Sequence, residues 1–294
     1  MARINRALEL LALDQPIYYE HLDAPARGGY DAGRAAAVTW ADYLSYDAEH
    51  APFDPAELRE FVRGLVEAGP TRSGHRAPAV IVSLPVDGSS EAVVRANAWM
   101  MRQALATGVH GLLLCHAETP EAVRAFVEAA RYPHQAAGVG PRLGIGRRGS
   151  GGQSHAAAMW GLTVAEYMSR ADAWPLNPGG ELLLGLKIEN VRALSNVEAS
   201  LAVPGISFAE WGPGDMGLSM GHPTQHDPPY PPDMLAARTR VRAACRAAGI
   251  AFLDQVTPEN VIERIAEGVR IGAGGQAREA AEIGRRHTKR AMPW

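Results

Sequence analysis

Short apolar runs and helix-periodic segments alternate along most of the chain. The apolar runs fall at 16–21, 42–47, 78–85, 110–116, 182–188, 206–211, 250–255 and 269–275. They are short and rich in Val, Ile, Leu, Ala and Tyr, as buried strands are. Between them, apolar residues recur at spacings of three and four. At 55–68 these are Leu58, Phe61, Val62 and Leu65, one face of a helix. Further helices are expected at 3–13, 35–40, 91–107, 120–130, 191–203, 232–248, 258–267 and 276–287, with Thr119 and Thr257 as caps for two of them. Pro- and Gly-rich stretches at 23–33 and 223–232, the second beside His222 and containing His226, read as loops. No linker, internal repeat or charge block divides the alternation. The pattern predicts a single (β/α)8 TIM barrel over 1–294.

One stretch breaks the rhythm. Residues 133–178, before the fifth strand, are far longer than a plain connection. They hold a glycine-rich run at 144–154, a helix-periodic segment at 156–170, and Trp160 and Trp174. The tryptophans argue for an ordered insertion. The glycine run lacks the GxxxxGK[ST] spacing and follows no clear strand, so nucleotide binding is not expected.

Composition narrows the function. The chain has 294 residues, 47% of them hydrophobic, and a formal net charge of −3. That is an ordinary globular balance with no electrostatic reason to expect nucleic acid or membrane as partner. Cys115 and Cys245 are the only cysteines and form no CxxC or Cys/His spacing, so a disulfide framework or structural zinc is not expected. The first 16 residues are broken by Glu9 and Asp14, unlike a secretory or membrane segment. A cytoplasmic location is the expectation.

The candidate chemistry lies mainly at strand ends. The run 182–188 delivers Glu189, and the run 206–211 delivers Asp215 through the turn Gly212-Pro213-Gly214. In a parallel α/β fold, both ends lie on one face. Two carboxylates placed so suit a hard divalent cation such as Mg²⁺. They also fit two ordinary loop carboxylates. Lys187 precedes Glu189 by two and shares its face. The second strand runs into Asp47-Ala-Glu-His50-Ala-Pro. A carboxylate near an imidazole can fix its tautomer for proton transfer; a histidine capping a loop is the plainer reading.

The stretches KIEN, NVEASLAVPGI and WGPGDMGLSMGH, with DAEHAP earlier, resemble the HpcH/HpaI aldolase family, the metal-dependent class II pyruvate aldolases related to citrate lyase β. The resemblance runs from about 32 to about 274. It implies that Glu189 and Asp215 hold a divalent metal (Mg²⁺, Mn²⁺ or Co²⁺). His50, oriented by Asp47, would be the proton carrier. Gly212, Pro213 and Gly214 would meet the carboxylate of a small 2-oxo acid substrate, and His116 would lie in the pocket. It also implies a homo-oligomer with the terminal helix packed on a partner subunit.

Three departures bear on the substrate. Ser83 stands where the family has an arginine, and Ala106-Thr107 stand where it has an acid before glycine. The first strand ends in Glu20 and His21, where the family more often has a small or hydroxyl residue. Lys187, where many relatives have glutamine, can restore the missing charge. Arg147-Arg148-Gly149, similar to an R-G stretch of the family, is expected to close over the mouth and meet a distal anionic group. The reading favoured is a carbon–carbon lyase that cleaves a hydroxy-2-oxo acid to pyruvate, or a close 2-oxo acid, and an aldehyde. A decarboxylase or other enolate-forming lyase is the alternative, and a non-catalytic barrel is disfavoured by the intact acidic and Asp/His pairs.

Overall fold

The computed structural model describes residues 3–22, 28–225 and 227–293. His226 and residues 23–27 of the first expected loop lie outside them. Among the described residues there are nine strands: β1 Ile17–Leu22, β2 Tyr43–Asp47, β3 Ala79–Asp87, β4 Gly111–Cys115, β5 Ala173–Trp174, β6 Leu182–Ile188, β7 Phe208–Trp211, β8 Ala251–Gln255 and β9 Val269–Ala273. Eight close into a parallel ring, in the order β1-β2-β3-β4-β6-β7-β8-β9 and back to β1. The two-residue β5 lies outside the ring, against the start of β6. This is the expected (β/α)8 barrel.

Apolar side chains fill the lower interior. Ile17, Tyr43, Ile81, Leu113, Leu183, Phe208, Leu253 and Ile271 form one buried cluster with Ala7, Leu8 and Leu10. The last three come from the N-terminal helix Arg6–Ala12, whose cap Asn5 accepts the Leu8 N–H at 3.1 Å. That helix therefore plugs the barrel at the N-terminal ends of the strands. A second, larger core lies between the ring and the outer helices.

Beside the plug, Asp42 gathers three arginines from distant parts of the chain. Its Oδ1 is 3.2 Å from Arg6 Nη2, 3.2 Å from Arg285 Nη2 and 2.7 Å from Arg290 Nη1. Burial pushes the Asp42 carboxyl upward, but the three guanidiniums outweigh it and hold it below the usual carboxylate range. The arginines also donate to the carbonyls of Pro293, Trp40 and Pro16. Both ends of the chain are thus tied to the barrel floor.

Helices Pro55–Ala68 and Pro120–Ala130 match expectation. Others differ for local reasons. The run 91–107 breaks at Asn97, whose side chain donates to the Val93 carbonyl, giving Glu91–Ala96 and Ala98–Ala106. The run 191–203 breaks similarly at Asn196. The segment expected at 35–40 lies earlier, at Gly29–Ala36. Thr257 is not the cap residue; the helix is Val261–Glu267, and Asn260 at its N-cap position accepts the Thr257 N–H rather than capping the helix. The terminal helix Ala277–His287 buries Ala277, Ala280, Ala281 and Gly284. It packs against β1 and β9, with Gly284 directly against the Tyr18 hydroxyl. Among the described residues no helix is long and apolar enough to cross a membrane.

The insertion does not reach the mouth. It forms Gln153–Trp160 and Val164–Arg170, separated by Gly161 at φ 71° rather than continuous over 156–170. Trp160 Nε1 donates to the Gly108 carbonyl at 2.8 Å, and its ring stacks on His110, just before β4. A buried Arg131–Asp172 pair at 2.6 Å anchors the other end. The insertion thus lies along the outer wall near the N-terminal end of β4.

Candidate active site

The C-terminal ends of the strands open into a cavity of about 890 Å³. Lys187, Glu189, Glu210 and the run Trp211–Asp215 line one side of it, and His50 faces them. Tyr19, Glu20, His21, Gln255 and Arg278 line the far side. A smaller chamber of about 120 Å³ lies within the barrel and shares Tyr19, His21, His50, Lys187 and Glu210 with the mouth. Ser45, Asp47, Glu49 and Ser83 complete its polar walls.

Glu189 leaves the end of β6 and is 1% exposed. Its Oε1 accepts the backbone N–H of His116 at 2.8 Å. Its Oε2 lies 3.8 Å from Lys187 Nζ. Gly212 makes room for it, since a Cβ there would fall 2.7 Å from both Cβ and Oε2 of Glu189. Burial raises the Glu189 carboxyl to about 7. Nearby Glu49 adds to the rise; Lys187 and the His116 N–H oppose it without cancelling it.

Asp215 sits in the first turn of a helix, Pro213–Met220, rather than in a simple turn. This changes the expected carboxylate contacts. Gly212 spends its N–H on the Ile188 carbonyl at 3.4 Å, and Pro213 has none. The N–H groups of Gly214 and Asp215 have no partner within the helix, and both residues line the cavity.

Asp47 and His50 form the expected dyad. Asp47 Oδ1 accepts the N–H groups of Glu49 and His50 at 2.8 and 3.1 Å, and Oδ2 lies 3.0 Å from His50 Nδ1. Burial raises the Asp47 carboxyl, but these hydrogen bonds outweigh it and lower it overall. The His50 side chain is 66% exposed, so its Nε2 edge is open to the mouth. His21 Nε2 approaches the same Asp47 Oδ2 at 3.7 Å.

Lys187 shares the Glu189 face, as period two requires, and points into the acidic cluster. Its Nζ is 2.5 Å from Glu49 Oε2. Glu210 is its register partner on β7. Burial lowers the Lys187 ammonium, but Glu210, Cys115, Glu189 and Glu49 outweigh it and push it well above its usual value. Burial likewise pushes Glu210 up.

His116, in a left-handed conformation at φ 45°, gives its backbone N–H to Glu189 and sets its ring beside the acidic cluster, Nδ1 3.6 Å from Glu189 Oε1 and Nε2 4.0 Å from Glu49 Oε1, though it lines neither cavity. Two expected site residues lie elsewhere. Arg148 is buried with its guanidinium over the Tyr132 ring at 4.5 Å and donates to the Tyr167 hydroxyl at 2.6 Å. Arg147 lies beside Glu128, 3.4 Å away, on the outer helix. Aromatic faces and the buried Glu128 carboxylate on the outer wall hold both arginines, so neither meets a substrate at the mouth. Ser83 lines the inner chamber, not the mouth.

Glu49 and Glu210 were missed. A charged residue inside the apolar run of β7 was the visible signal for Glu210, and Glu49 sits within the DAEHAP motif.

The acidic set suits a divalent cation. Glu49 and Glu189 flank one ammonium, Glu210 is its register partner on the next strand, and Asp215 adds a further carboxylate to the cavity wall. Oxygens of Glu49 and Glu189 and the Cys115 sulfur also lie within 4.8 Å of one another. A buried carboxylate raised to about 7 in such a set is one that a cation would stabilise.

Comparison with known proteins agrees with the reading from motifs. The HpcH/HpaI aldolase/citrate lyase family matches residues 31–277. A 2-keto-3-deoxy-L-rhamnonate aldolase of Klebsiella pneumoniae subsp. pneumoniae is 31% identical over 238 residues, 81% of this chain and 76% of that protein. An HpcH/HpaI aldolase/citrate lyase family protein of Burkholderia cenocepacia J2315 superposes with a TM-score of 0.68 at 25% identity, over 94% of each chain. A citrate lyase beta subunit of M. tuberculosis, solved with oxaloacetate and magnesium, shares the fold at 15% identity, with a TM-score of 0.52 over 92% of this chain and 96% of that one. The chain belongs to the HpcH/HpaI aldolase/citrate lyase family and is an enzyme of its carbon–carbon lyase class.

Proposed function

We propose that this enzyme cleaves a 4-hydroxy-2-oxo acid to pyruvate, or a close 2-oxo acid, and an aldehyde, with a divalent cation held by Glu189 and Asp215. The observation that carries the reading is the surplus of carboxylates around one ammonium, facing an Asp–His dyad across one cavity. When bound, the cation supplies a Lewis acid for the developing enolate.

The chain's own residues do the rest. His50 takes the proton of the substrate's 4-hydroxyl through the ring nitrogen that Asp47 leaves open as the C3–C4 bond breaks, and return of a proton to C3 of the enolate completes the 2-oxo acid product. Asp47 holds the tautomer and stabilises the imidazolium that forms. Lys187 sets a fixed positive charge beside Glu189, the role that an arginine at position 83 would otherwise have. The first-turn N–H groups of Gly214 and Asp215 meet the substrate carboxylate. Ser83 leaves the inner chamber polar and open. Its volume of about 120 Å³ has room for several water molecules.

Nothing in this arrangement supplies a distal anion site from the insertion. The far side of the mouth instead offers Glu20, His21, Gln255 and Arg278 to the aldehyde half. The working form is a homo-oligomer, as the resemblance implies; light scattering on the purified protein tests this.

The test is an assay of metal-stripped protein, reloaded separately with Mg²⁺, Mn²⁺ and Co²⁺. The substrates are a panel of 4-hydroxy-2-oxo acids that includes a 2-keto-3-deoxy sugar acid. Pyruvate and aldehyde should appear in equal amounts, and chelation should stop both. Turnover that survives chelation would overturn the metal role. Carbon dioxide released without aldehyde would establish the decarboxylase alternative.

A further inference from the structure

The unusual feature of the mouth is an ammonium built into the acidic cluster that would hold the cation. Lys187 Nζ lies 2.5 Å from Glu49 Oε2 and 3.8 Å from Glu189 Oε2. Its side chain is 14% exposed and Glu210 lies beside it on β7. Its bond to Glu49 holds the ammonium within the cluster.

We propose that Lys187 is a built-in counter-ion that weakens divalent-metal binding at Glu189 while supplying positive charge for the reaction. The inference rests on the metal assignment above and deepens it.

The argument is electrostatic. Without a metal, three carboxylates crowd one end of the barrel, and Glu189 is almost wholly buried. An internal cation lets them coexist in a folded protein. Glu49, closest to the ammonium, holds it beside Glu189 rather than on it. The same charge repels an incoming divalent ion. Charges a few ångströms apart interact strongly even at the effective dielectric of protein sites, so the ammonium opposes the metal while ordering its ligand. The lysine charge would also favour the reaction, because the negative charge of the enolate appears only as the carbon–carbon bond breaks.

Removing the lysine charge should therefore move metal affinity and turnover in opposite directions. A lysine that merely supported the fold would lower both.

The experiment is calorimetric titration of the metal-stripped full chain with MnCl₂, beside steady-state kinetics at saturating Mn²⁺. The proteins are the parent, Lys187→Gln and Lys187→Arg. Lys187→Gln should bind Mn²⁺ about ten- to a hundredfold more tightly and turn over more slowly. Lys187→Arg keeps the charge and should bind Mn²⁺ like the parent. Lys187→Met, which keeps an unbranched side chain without the ammonium, serves if the amide disturbs folding, and the same tightening is expected of it. Equal or weaker Mn²⁺ binding by the uncharged variants, with the parent binding normally, overturns the inference and leaves the metal assignment standing. No Mn²⁺ binding by any of these proteins overturns both.

Discussion

The two ends of this barrel carry opposite charge imbalances and use them differently. On the floor, one carboxylate, Asp42, meets three arginines. At the mouth, one ammonium, Lys187, lies 2.5 Å from Glu49 and 3.8 Å from Glu189, with Glu210 as its register partner. On the floor, among the described residues, the extra positive charge is met by backbone carbonyls of Pro293, Trp40 and Pro16, with Glu282 Oε1 3.9 Å from Arg285 Nη1 at the edge. Neutral acceptors satisfy a guanidinium well, because it carries five donors and needs no anion for each. At the mouth, the surplus is negative and lines an open cavity. A carboxylate is acceptor-only when ionised, and the His116 N–H is the one backbone donor seen on Glu189 among the described residues. The floor cluster is closed and holds the chain ends; the mouth cluster is left for a cation. A count of ion pairs would not separate them, whereas what satisfies the surplus does.

The sharpest way to break this contrast is to neutralise one member at each end. Glu189→Gln keeps the shape and still accepts the His116 N–H. It should abolish divalent-metal binding and activity while the fold survives, as calorimetry and a melting curve would show. The pH dependence adds a sign. The carboxyl is raised in the folded protein from its ordinary 4.5 to about 7. Its contribution is therefore fully present below the unfolded value and lost as pH rises through about 7. Metal-free parent protein should lose stability across that window, and the variant should lose less. Retained activity in Glu189→Gln after chelation and metal re-addition would end the reading of the mouth as a metal centre.

His50→Ala should lower turnover by ~10² to 10⁴, the usual share of a general acid–base group, and leave metal affinity nearly unchanged. A collapse of metal affinity in that variant would make His50 a ligand.

At the floor, Asp42→Asn strands three buried guanidiniums. It should cost about 3–5 kcal/mol in denaturant unfolding, with turnover per folded molecule unchanged. An unfolding midpoint equal to the parent's would mean that the carbonyls alone hold the arginines.

The smallest effect is expected away from both ends. Arg148→Ala removes a hydrogen bond to Tyr167 and stacking on Tyr132. It should lower stability by about 1–3 kcal/mol without changing KM for acidic substrates. A selective rise in KM for acidic substrates would restore the arginine to the mouth.

How much was legible in advance follows sequence distance. Asp47 and His50 are three residues apart, and their 3.0 Å contact follows from one strand-end turn. Glu189 and Asp215 lie at the ends of neighbouring parallel strands, so alternation and turn residues placed them on one face. Lys187 was oriented by the two-residue period of β6.

The rest required the fold. Glu49 meets Lys187 across 138 positions of sequence, and nothing local to either says so. Glu210 was a charge in an apolar run, but its partner depended on the register of β6 with β7. The arginines of the insertion looked like a flexible lid because glycines flank them. Tyr132 and Tyr167 took Arg148 instead, and those rings come together only when the insertion folds against the outer wall. The sequence by itself determined the strand order, the barrel and the residues at each strand end, because these depend on periods of two and 3.6 and on turns. The tertiary structure alone decided which charges share a cluster, because that depends on how distant strands are registered and on which charges find neutral partners.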